Sequence, residues 1–255
     1  MRPFLILRYV SFINAETMKL DILAFAAHPD DVELSASGTL LRYAAEGKKI
    51  GIVDLTEGEL GTRGSVADRY EEAKEAGYLM GLHFRKNLQM GDGFFEINEE
   101  NKRKIIEQIR IHQPEIVLAN CLSDRHPDHG RAGKLVADAC FLSGLRKIET
   151  IVQGISLEPH RPRLVLHYIQ DHYIQPDIVM DVSSFMEKKI EVIKAYRTQF
   201  FDPASTEPNT PISGEEFFQF IKGRMMQYGR PIGVDYAEGF TATRMLGTKD
   251  LFTLV

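Results

Sequence analysis

Two short segments of this 255-residue chain carry residue types that bind metal ions and transfer protons. The first reads His28-Pro29-Asp30-Asp31 and the second reads His126-Pro127-Asp128-His129. Histidine and aspartate are ordinary zinc ligands, and a catalytic zinc site takes three protein ligands and leaves a position open for water or substrate. The two segments together could supply His28, Asp31 and His129 as such a set.

The other polar residues of these segments suit the hydrolysis of an amide. A bound metal ion lowers the pKa of water to about 7 and polarises a carbonyl group. Asp30 could accept the proton of that water. His126 could stabilise the tetrahedral oxyanion or protonate the leaving amine, while Asp128 could orient His126 and raise its pKa.

A structural interpretation of these segments must be weighed beside the catalytic one. A single His-Pro-Asp segment can form a turn in which proline fixes φ and aspartate caps the following helix. Two such segments in matching positions favour a metal site. We expect zinc, although the same ligand types also match the facial triad of non-haem Fe(II) enzymes. An oxygenase is less favoured because the remaining acid and base groups suit proton transfer to and from water.

Both segments follow predicted buried strands. Apolar runs over residues 20–27 and 115–119 precede them, and apolar residues recur at helical spacing from residue 33 and over residues 132–142. We therefore place residues 126–129 in a loop between a strand and a helix. Ligands bind at the carboxyl ends of the strands in open α/β sheets, so we expect the two loops to converge on one pocket.

The rest of the chain predicts an α/β fold with a Rossmann-like, mostly parallel sheet and helices on both faces. Further helices are expected over residues 67–80, 98–112 and 214–228, and further strands over 50–55, 164–169 and 177–181. Residues 18–255 are predicted to form a single domain, and residues 1–17 are either an extension of it or the result of a misassigned start codon. Residues 201–211 are rich in proline and are the best candidate for a mobile loop, which could lie over the pocket as a lid or support subunit contacts.

The motif segments resemble a known family. Residues 26–31, with Glu33 after them, and residues 126–129 are similar to the LmbE-like (PIG-L) family of zinc-dependent N-acetylglucosamine deacetylases. Within it the chain most resembles the deacetylases of bacillithiol biosynthesis, which act on N-acetylglucosaminyl malate. The segments that carry this second likeness are residues 55–64, 124–129, 196–200 and 236–240.

The resemblance implies a role for each residue of the two segments. It assigns the metal to His28, Asp31 and His129, and it alone prefers His129 over His126 as a ligand. Asp30 becomes the general base. His126, partnered by Asp128, becomes the electrostatic or acid group.

Four residues outside the two segments are candidates for the pocket. Arg63 and Arg125 could bind the carboxylates of a malyl conjugate, because a guanidinium matches a carboxylate bidentately, but surface arginines are often only solvated. The resemblance suggests that Tyr196 reaches the oxyanion, whereas the helical spacing over residues 185–196 suits packing on the core. Glu238 could line the pocket or belong to an ion pair.

Composition limits the partners. The formal net charge is -5 and no dense Lys/Arg tract occurs, so neither nucleic acid nor membrane is expected to bind. The two cysteines, Cys121 and Cys140, provide no disulfide framework, which favours a reducing, cytoplasmic setting. The expected partner is a small-molecule amino-sugar conjugate, and the resemblance implies a homo-oligomer.

Two other functions remain open. One is a deacetylase or amidase that acts on a different amino-sugar conjugate. The other is a non-catalytic module that binds a sugar or nucleotide through the same loops.

Overall fold

A seven-stranded sheet lies at the centre of the computed structural model, which describes residues 18–200 and 204–255. In chain order its strands are β1 (Ile22–Ala26), β2 (Ile50–Thr56), β3 (Phe84–Met90), β4 (Ile116–Asn120), β7 (Leu164–Tyr168), β8 (Ile178–Asp181) and β9 (Ala237–Ala242), while β5 (Ile151–Val152) and β6 (Ile155–Ser156) form a separate hairpin. The α-helices of the described residues are α1 (Asp31–Ala45), α2 (Val66–Met80), α3 (Glu99–His112), α4 (Pro127–Leu142), α5 (Met186–Lys194) and α6 (Glu216–Gly229). The predicted extension over residues 1–17 lies outside the described residues.

The strand order is β3-β2-β1-β4-β7-β9-β8. All pairings from β3 to β7 are parallel, and β9 is antiparallel to both of its neighbours. The chain builds outward from β1 to β3 and then returns to add β4 on the other side of β1. The carboxyl ends of β1 and β4 therefore flank the switch point at which open α/β sheets bind ligands.

Helices cover both faces of the sheet, as predicted. Alternate residues of β1 point to opposite sides, so Ala24 packs with residues of α1, α2, α5 and α6, whereas Phe25 packs with residues of α3 and α4. Both residues are fully buried. None of the helices in the described ranges has the length and apolar character needed to cross a membrane.

Two strands of the central sheet were not predicted from the sequence. β3 is a polar strand at the sheet edge that pairs with β2, and Met90 is its one buried residue. β9 contains Gly239, which weakens its strand pattern. β3 lies at the edge of the sheet and buries little of its surface. Its sequence therefore lacks the apolar run by which the central strands were found.

Close packing of α4 on β4 predicts that Gly133→Ala destabilises the fold. A Cβ at Gly133 would lie 2.5 Å from the main-chain oxygen of Asn120 and 2.9 Å from that of Cys121. We expect a loss of about 1–3 kcal/mol, measured as a lower Tm in a thermal unfolding experiment. Gly223→Ala in α6 is the matched control, because nothing lies within 4 Å of its added Cβ. It should stabilise by up to about 1 kcal/mol, and equal Tm values for the two variants would contradict the packing argument.

Candidate metal centre and active site

The first motif segment lies between the end of β1 and the start of α1. Asp31 is the first residue of α1, and its Oδ2 accepts a hydrogen bond of 2.9 Å from the main-chain N–H of His28. Asp30 has a φ of 125°, which is unfavourable for a residue with a Cβ. Such strain persists only where the surroundings fix the backbone, and it is common at functional sites.

The second segment begins a helix, so the predicted loop is shorter than expected. His126 is the N-cap of α4, and its Nδ1 accepts a hydrogen bond of 3.3 Å from the main-chain N–H of Asp128. Pro127 occupies the first helical position, where its missing N–H costs nothing. Asp128 and His129 are therefore held on the first turn of α4, and both are buried.

The two segments converge. One ring nitrogen from each of His28, His126 and His129 lies within 4.8 Å of the other two. Asp31 lies against two of these rings, with Oδ1 3.2 Å from His129 Nε2 and Oδ2 3.7 Å from His28 Nδ1. The structure thus brings the three predicted ligands together with His126 beside them. This set of imidazole and carboxylate donors fits a divalent metal ion.

Hydrogen bonds to outer carboxylates select one nitrogen of each histidine. His28 Nε2 lies 2.9 Å from Asp92 Oδ1, and His129 Nδ1 lies 2.7 Å from Asp124 Oδ2. Because ionised carboxylates only accept hydrogen bonds, these nitrogens carry the protons. His28 Nδ1 and His129 Nε2, the two atoms that face Asp31, are left to bind a metal. Outer carboxylates commonly orient ligand histidines in this way.

A second grouping of metal-binding types contains His28, Asp92 and Asp128. His28 would enter this group through Nε2, which lies 2.9 Å from Asp92 and 3.5 Å from Asp128. The two aspartates have other partners, since Asp92 accepts from the N–H of Leu60 at 2.9 Å and Asp128 from that of Gly93 at 2.8 Å. We therefore infer that these carboxylates orient His28 rather than bind a metal ion.

Amide side chains hold Asp31 in place. Its Oδ2 accepts from Asn120 Nδ2 at 3.0 Å, and its Oδ1 accepts from Gln170 Nε2 at 2.7 Å. Asn120 is the last residue of β4, and its Oδ1 also accepts from the N–H of Ala27 at 2.9 Å. The ends of β1 and β4 are thus joined directly through the side chain that orients Asp31.

Asp124→Asn is expected to weaken metal binding by about 10- to 100-fold, because the variant no longer fixes the tautomer of His129. Competition with a chromogenic chelator measures the change. Asp138→Asn is a matched control on α4, where the carboxylate pairs with Lys102 and Lys134. An Asp124→Asn protein that binds metal as tightly as this control would show that Asp124 does not support the site.

Charges at the site favour a bound cation. Burial disfavours a charged imidazole, yet the carboxylates of Asp31 and Asp124 raise the pKa of His129 to about 9. Burial also opposes ionisation of Asp31, but the imidazoles of His129 and His28 hold its pKa well below the ordinary value. The cluster therefore retains protons in the absence of a metal, and a metal ion would replace them.

Asp30 is the predicted base, and its environment suits that role. Burial raises the pKa of its carboxyl to about 7, against the opposing effect of the Arg69 guanidinium. Arg69 Nη1 lies 3.3 Å from Asp30 Oδ2 and donates to the carbonyl of Pro29 at 2.9 Å. Arg69 was not predicted, because nothing in its local sequence distinguishes it from the other arginines of the chain.

A cavity of about 310 Å³ opens over these groups. Its wall includes Asp30, Asp31, the three clustered imidazoles and a face of α6. Thr210 and Pro211 also line it, and residues 204–211 contain no helix or strand. The described part of the predicted loop thus lies at the cavity wall.

Comparisons with known proteins identify the family of the chain. The family described as PIG-L, GlcNAc-PI de-N-acetylase, matches residues 23–140. A conserved protein of Thermus thermophilus has a similar structure, with a TM-score of 0.80 and 35% identity over 90% of this chain and 98% of that one. The chain belongs to the PIG-L family. The deacetylases of this family are metal-dependent hydrolases that act on amides, and the resemblance found in the sequence is confirmed.

Two further PIG-L relatives have named activities. The diacetylchitobiose deacetylase of Thermococcus kodakarensis is 27% identical over 86% of this chain and 81% of its own length. A probable N-acetyl-alpha-D-glucosaminyl L-malate deacetylase of Bacillus anthracis is 28% identical over 70% of this chain and 81% of its own length. As a PIG-L protein, the chain is a deacetylase of amino-sugar conjugates.

Not every predicted contact of this PIG-L site is present. Arg125 lines the cavity, but its Nε donates to Asp171 Oδ2 at 2.7 Å. Arg63 is buried, donates to the hydroxyl of Ser205, and is not among the lining residues. This placement does not support direct substrate binding by Arg63.

Tyr196 is also absent from the cavity wall, although the resemblance suggested a role at the oxyanion. Its hydroxyl donates to Glu33 Oε1 at 2.9 Å and accepts from Arg85 Nη2 at 3.0 Å. The side chain is fully buried. Tyr196 is thus placed to tie α1 to β3, and a direct part in catalysis is not supported.

The predicted pairing of Asp128 with His126 takes a different form. The first turn of α4 directs the Asp128 carboxylate toward Gly93 and Arg131, whose Nη1 donates to Oδ1 at 2.7 Å. Only the main-chain N–H of Asp128 contacts the His126 ring. Burial, together with the charges of His28 and His129, lowers the pKa of His126, so the expected rise does not occur.

Glu238 both lines the cavity and forms an ion pair, so both interpretations of it are correct. Its Oε1 lies 2.8 Å from Lys189 Nζ, and its two oxygens accept from the N–H groups of Gly38 at 2.8 Å and Thr39 at 2.7 Å. Both charged side chains are buried. The pair joins α5 and β9 to the middle of α1.

Proposed function

We propose that this protein removes the N-acetyl group from an N-acetylglucosamine conjugate, with zinc held by His28, Asp31 and His129. The observation that carries the proposal is the convergence of Asp31 and the imidazoles at the base of a cavity beside the ends of β1 and β4. A zinc ion there would activate a water molecule and polarise the amide carbonyl.

Asp30 would take the proton of the attacking water. A general base is most efficient when its pKa lies near the working pH, and burial brings the pKa of Asp30 to about 7. Arg69 holds the carboxylate in place through its contact of 3.3 Å. Asp30 lines the same cavity as Asp31. The proposed base and a proposed ligand of the zinc ion are therefore adjacent residues.

His126 would donate a hydrogen bond to the oxyanion. Its Nδ1 accepts from the main chain and so carries no proton. A neutral imidazole then has its proton on Nε2, and the lowered pKa of His126 keeps the ring neutral. His126 lines the cavity, so this N–H is available to the substrate. We therefore favour the oxyanion role over that of a general acid.

N-acetylglucosaminyl malate is the substrate that the sequence segments favour, and a relative from Bacillus anthracis bears that activity in its name. Release of free amine from this compound and from N-acetylglucosamine tests the assignment, with zinc restored to the purified protein and a chelated sample as control. We expect metal-dependent turnover that prefers the malyl conjugate. Absence of turnover on either compound by zinc-loaded protein would reject the proposed substrate class.

Diacetylchitobiose is a second candidate, because an apolar wall could pack against the face of a second sugar ring. The residues that form this wall are Phe217, Phe220, Ile221, Met225 and Tyr228. A relative from Thermococcus kodakarensis is named for activity on this disaccharide. Including it in the same assay distinguishes the two, since a neutral-sugar enzyme would turn over the disaccharide faster than the malyl conjugate.

A further inference from the structure

One face of α6 lines the same cavity as the imidazoles. Its lining residues recur at spacings of three and four, as one side of a helix requires, and they are Phe217, Phe220, Ile221, Arg224, Met225 and Tyr228. Arg224 is the one charged residue of this face. An arginine in such a position needs an explanation, because the rest of the wall is apolar or aromatic.

The other arginines and the lysine of the cavity wall have carboxylate partners. These pairs are Arg69 with Asp30, Arg125 with Asp171, and Lys189 with Glu238. Within residues 18–200 and 204–255, Arg224 forms no ion pair with a carboxylate. Its terminal nitrogens donate to the main-chain carbonyls of Gln170 and Asp171, and its guanidinium lies 4.6 Å from the centre of the Phe220 ring. These contacts orient the group, and no carboxylate of the described residues neutralises its charge.

A single residue, Gln170, connects Arg224 to the candidate metal ligand Asp31. Gln170 contacts both, since its carbonyl accepts from Arg224 and its side-chain amide donates to Asp31 at 2.7 Å. In a 2-acetamido glycoside the amide and the aglycone occupy neighbouring ring carbons. A carboxylate on a short aglycone such as malate therefore lies close to the amide that is hydrolysed, and Gln170 connects the two corresponding parts of the cavity wall.

We propose that Arg224 binds a carboxylate of the aglycone and so sets a preference for anionic amino-sugar conjugates. This inference rests on the proposed deacetylase function. A planar guanidinium with unused N–H groups matches a carboxylate, and fixing two of its nitrogens on carbonyls reduces the entropy lost on binding. Arg63 is not in the cavity wall and Arg125 is paired, so Arg224 takes the role that the sequence assigned to them.

The test compares two substrates that share the amide and differ in the aglycone. We would measure kcat and KM on N-acetylglucosaminyl malate and on methyl N-acetylglucosaminide for the wild type, Arg224→Gln and Arg224→Lys. Arg224→Gln should lower kcat/KM on the malyl compound on the order of 10- to 100-fold, mainly through a higher KM. Its kcat/KM on the methyl glycoside should equal that of the wild type. Arg224→Lys should lie between, because it retains the charge and loses the planar fork.

Lys222→Gln is the matched control, because it removes the same charge from an exposed position of α6 that does not line the cavity. Equal losses on both substrates in Arg224→Gln and Arg224→Lys would overturn the inference and indicate a structural role. A wild type that hydrolyses both compounds without preference would also overturn it and leave the deacetylase function standing. If neither compound is hydrolysed, the function fails, and calorimetric binding of the two compounds to each variant decides the role of Arg224 by itself.

Discussion

Asp30→Asn should lower kcat by about 10²- to 10⁴-fold while the protein keeps its metal. Asparagine preserves the size of the side chain and an oxygen for Arg69, which lies 3.3 Å from Asp30 Oδ2. It cannot accept a proton from water. Initial rates on zinc-loaded protein and metal content from mass spectrometry measure the two quantities separately.

Asp21→Asn provides the control for this experiment. Asp21 precedes the first residue of β1, at the opposite end of the strand from the cavity, and its carboxylate contacts Lys48 and the N–H of Lys49. The control should retain wild-type kcat. If Asp30→Asn keeps more than about a tenth of wild-type kcat, the base lies elsewhere, since a general base contributes at least about 10²-fold.

His129→Ala should remove the metal and the activity together, with a loss in kcat/KM of at least about 10³-fold. His126→Ala should instead retain the metal and lose about 10²- to 10³-fold in kcat, because it removes one oxyanion donor. The comparison is informative because each ring has a nitrogen within 4.8 Å of a ring nitrogen of His28. Metal content and kcat of the two variants are the measurements.

The same pair of variants can contradict the assignment. His129 faces Asp31 at 3.2 Å and has an outer carboxylate partner in Asp124, whereas the His126 ring accepts from the main-chain N–H of Asp128. If His126→Ala loses the metal and His129→Ala keeps it, the ligand set contains His126, and the role of oxyanion donor passes to another residue.

The sequence alone predicted that the two motif segments converge, as the structure shows. His28 and His126 each follow an apolar run, and apolar runs of that length form buried strands. Parallel strands place their carboxyl ends at one edge of the sheet, so the convergence of the two segments follows from the strand pattern. The ranges predicted for α2, α3 and α6 differ from the observed bounds by one or two residues, because their apolar spacing is regular.

The supporting residues could not be predicted in the same way, because their partners are distant in the chain. Asn120 and Gln170 meet Asp31 across separations of 89 and 139 residues. Asp92 follows β3, and it could have been placed at the same edge had β3 been recognised as a parallel strand. Asn120 did carry a signal, since it is a polar residue that ends a buried apolar run.

For Tyr196 the sequence predicted the packing of the ring and not the hydrogen-bond partners of the hydroxyl group. Its helical spacing with neighbouring apolar residues indicated packing, and the structure agrees. The hydroxyl partners, Glu33 and Arg85, come from α1 and β3. A local pattern reveals which face of a helix is buried and gives no information on the polar group that meets a buried hydroxyl.

The position of β9 has a consequence for synthesis on the ribosome. β9 is the last strand of the chain, yet it lies between β7 and β8 and is the only strand of the described residues that pairs with β8. The parallel strands β1 to β4 and the residues from His28 to His129 are all made in the first 130 positions or so of the chain. These donors are therefore synthesised long before Glu238, which joins α1 to α5. Translation therefore supplies every donor of the cluster well before the residues of α6 and β9 that complete the cavity wall.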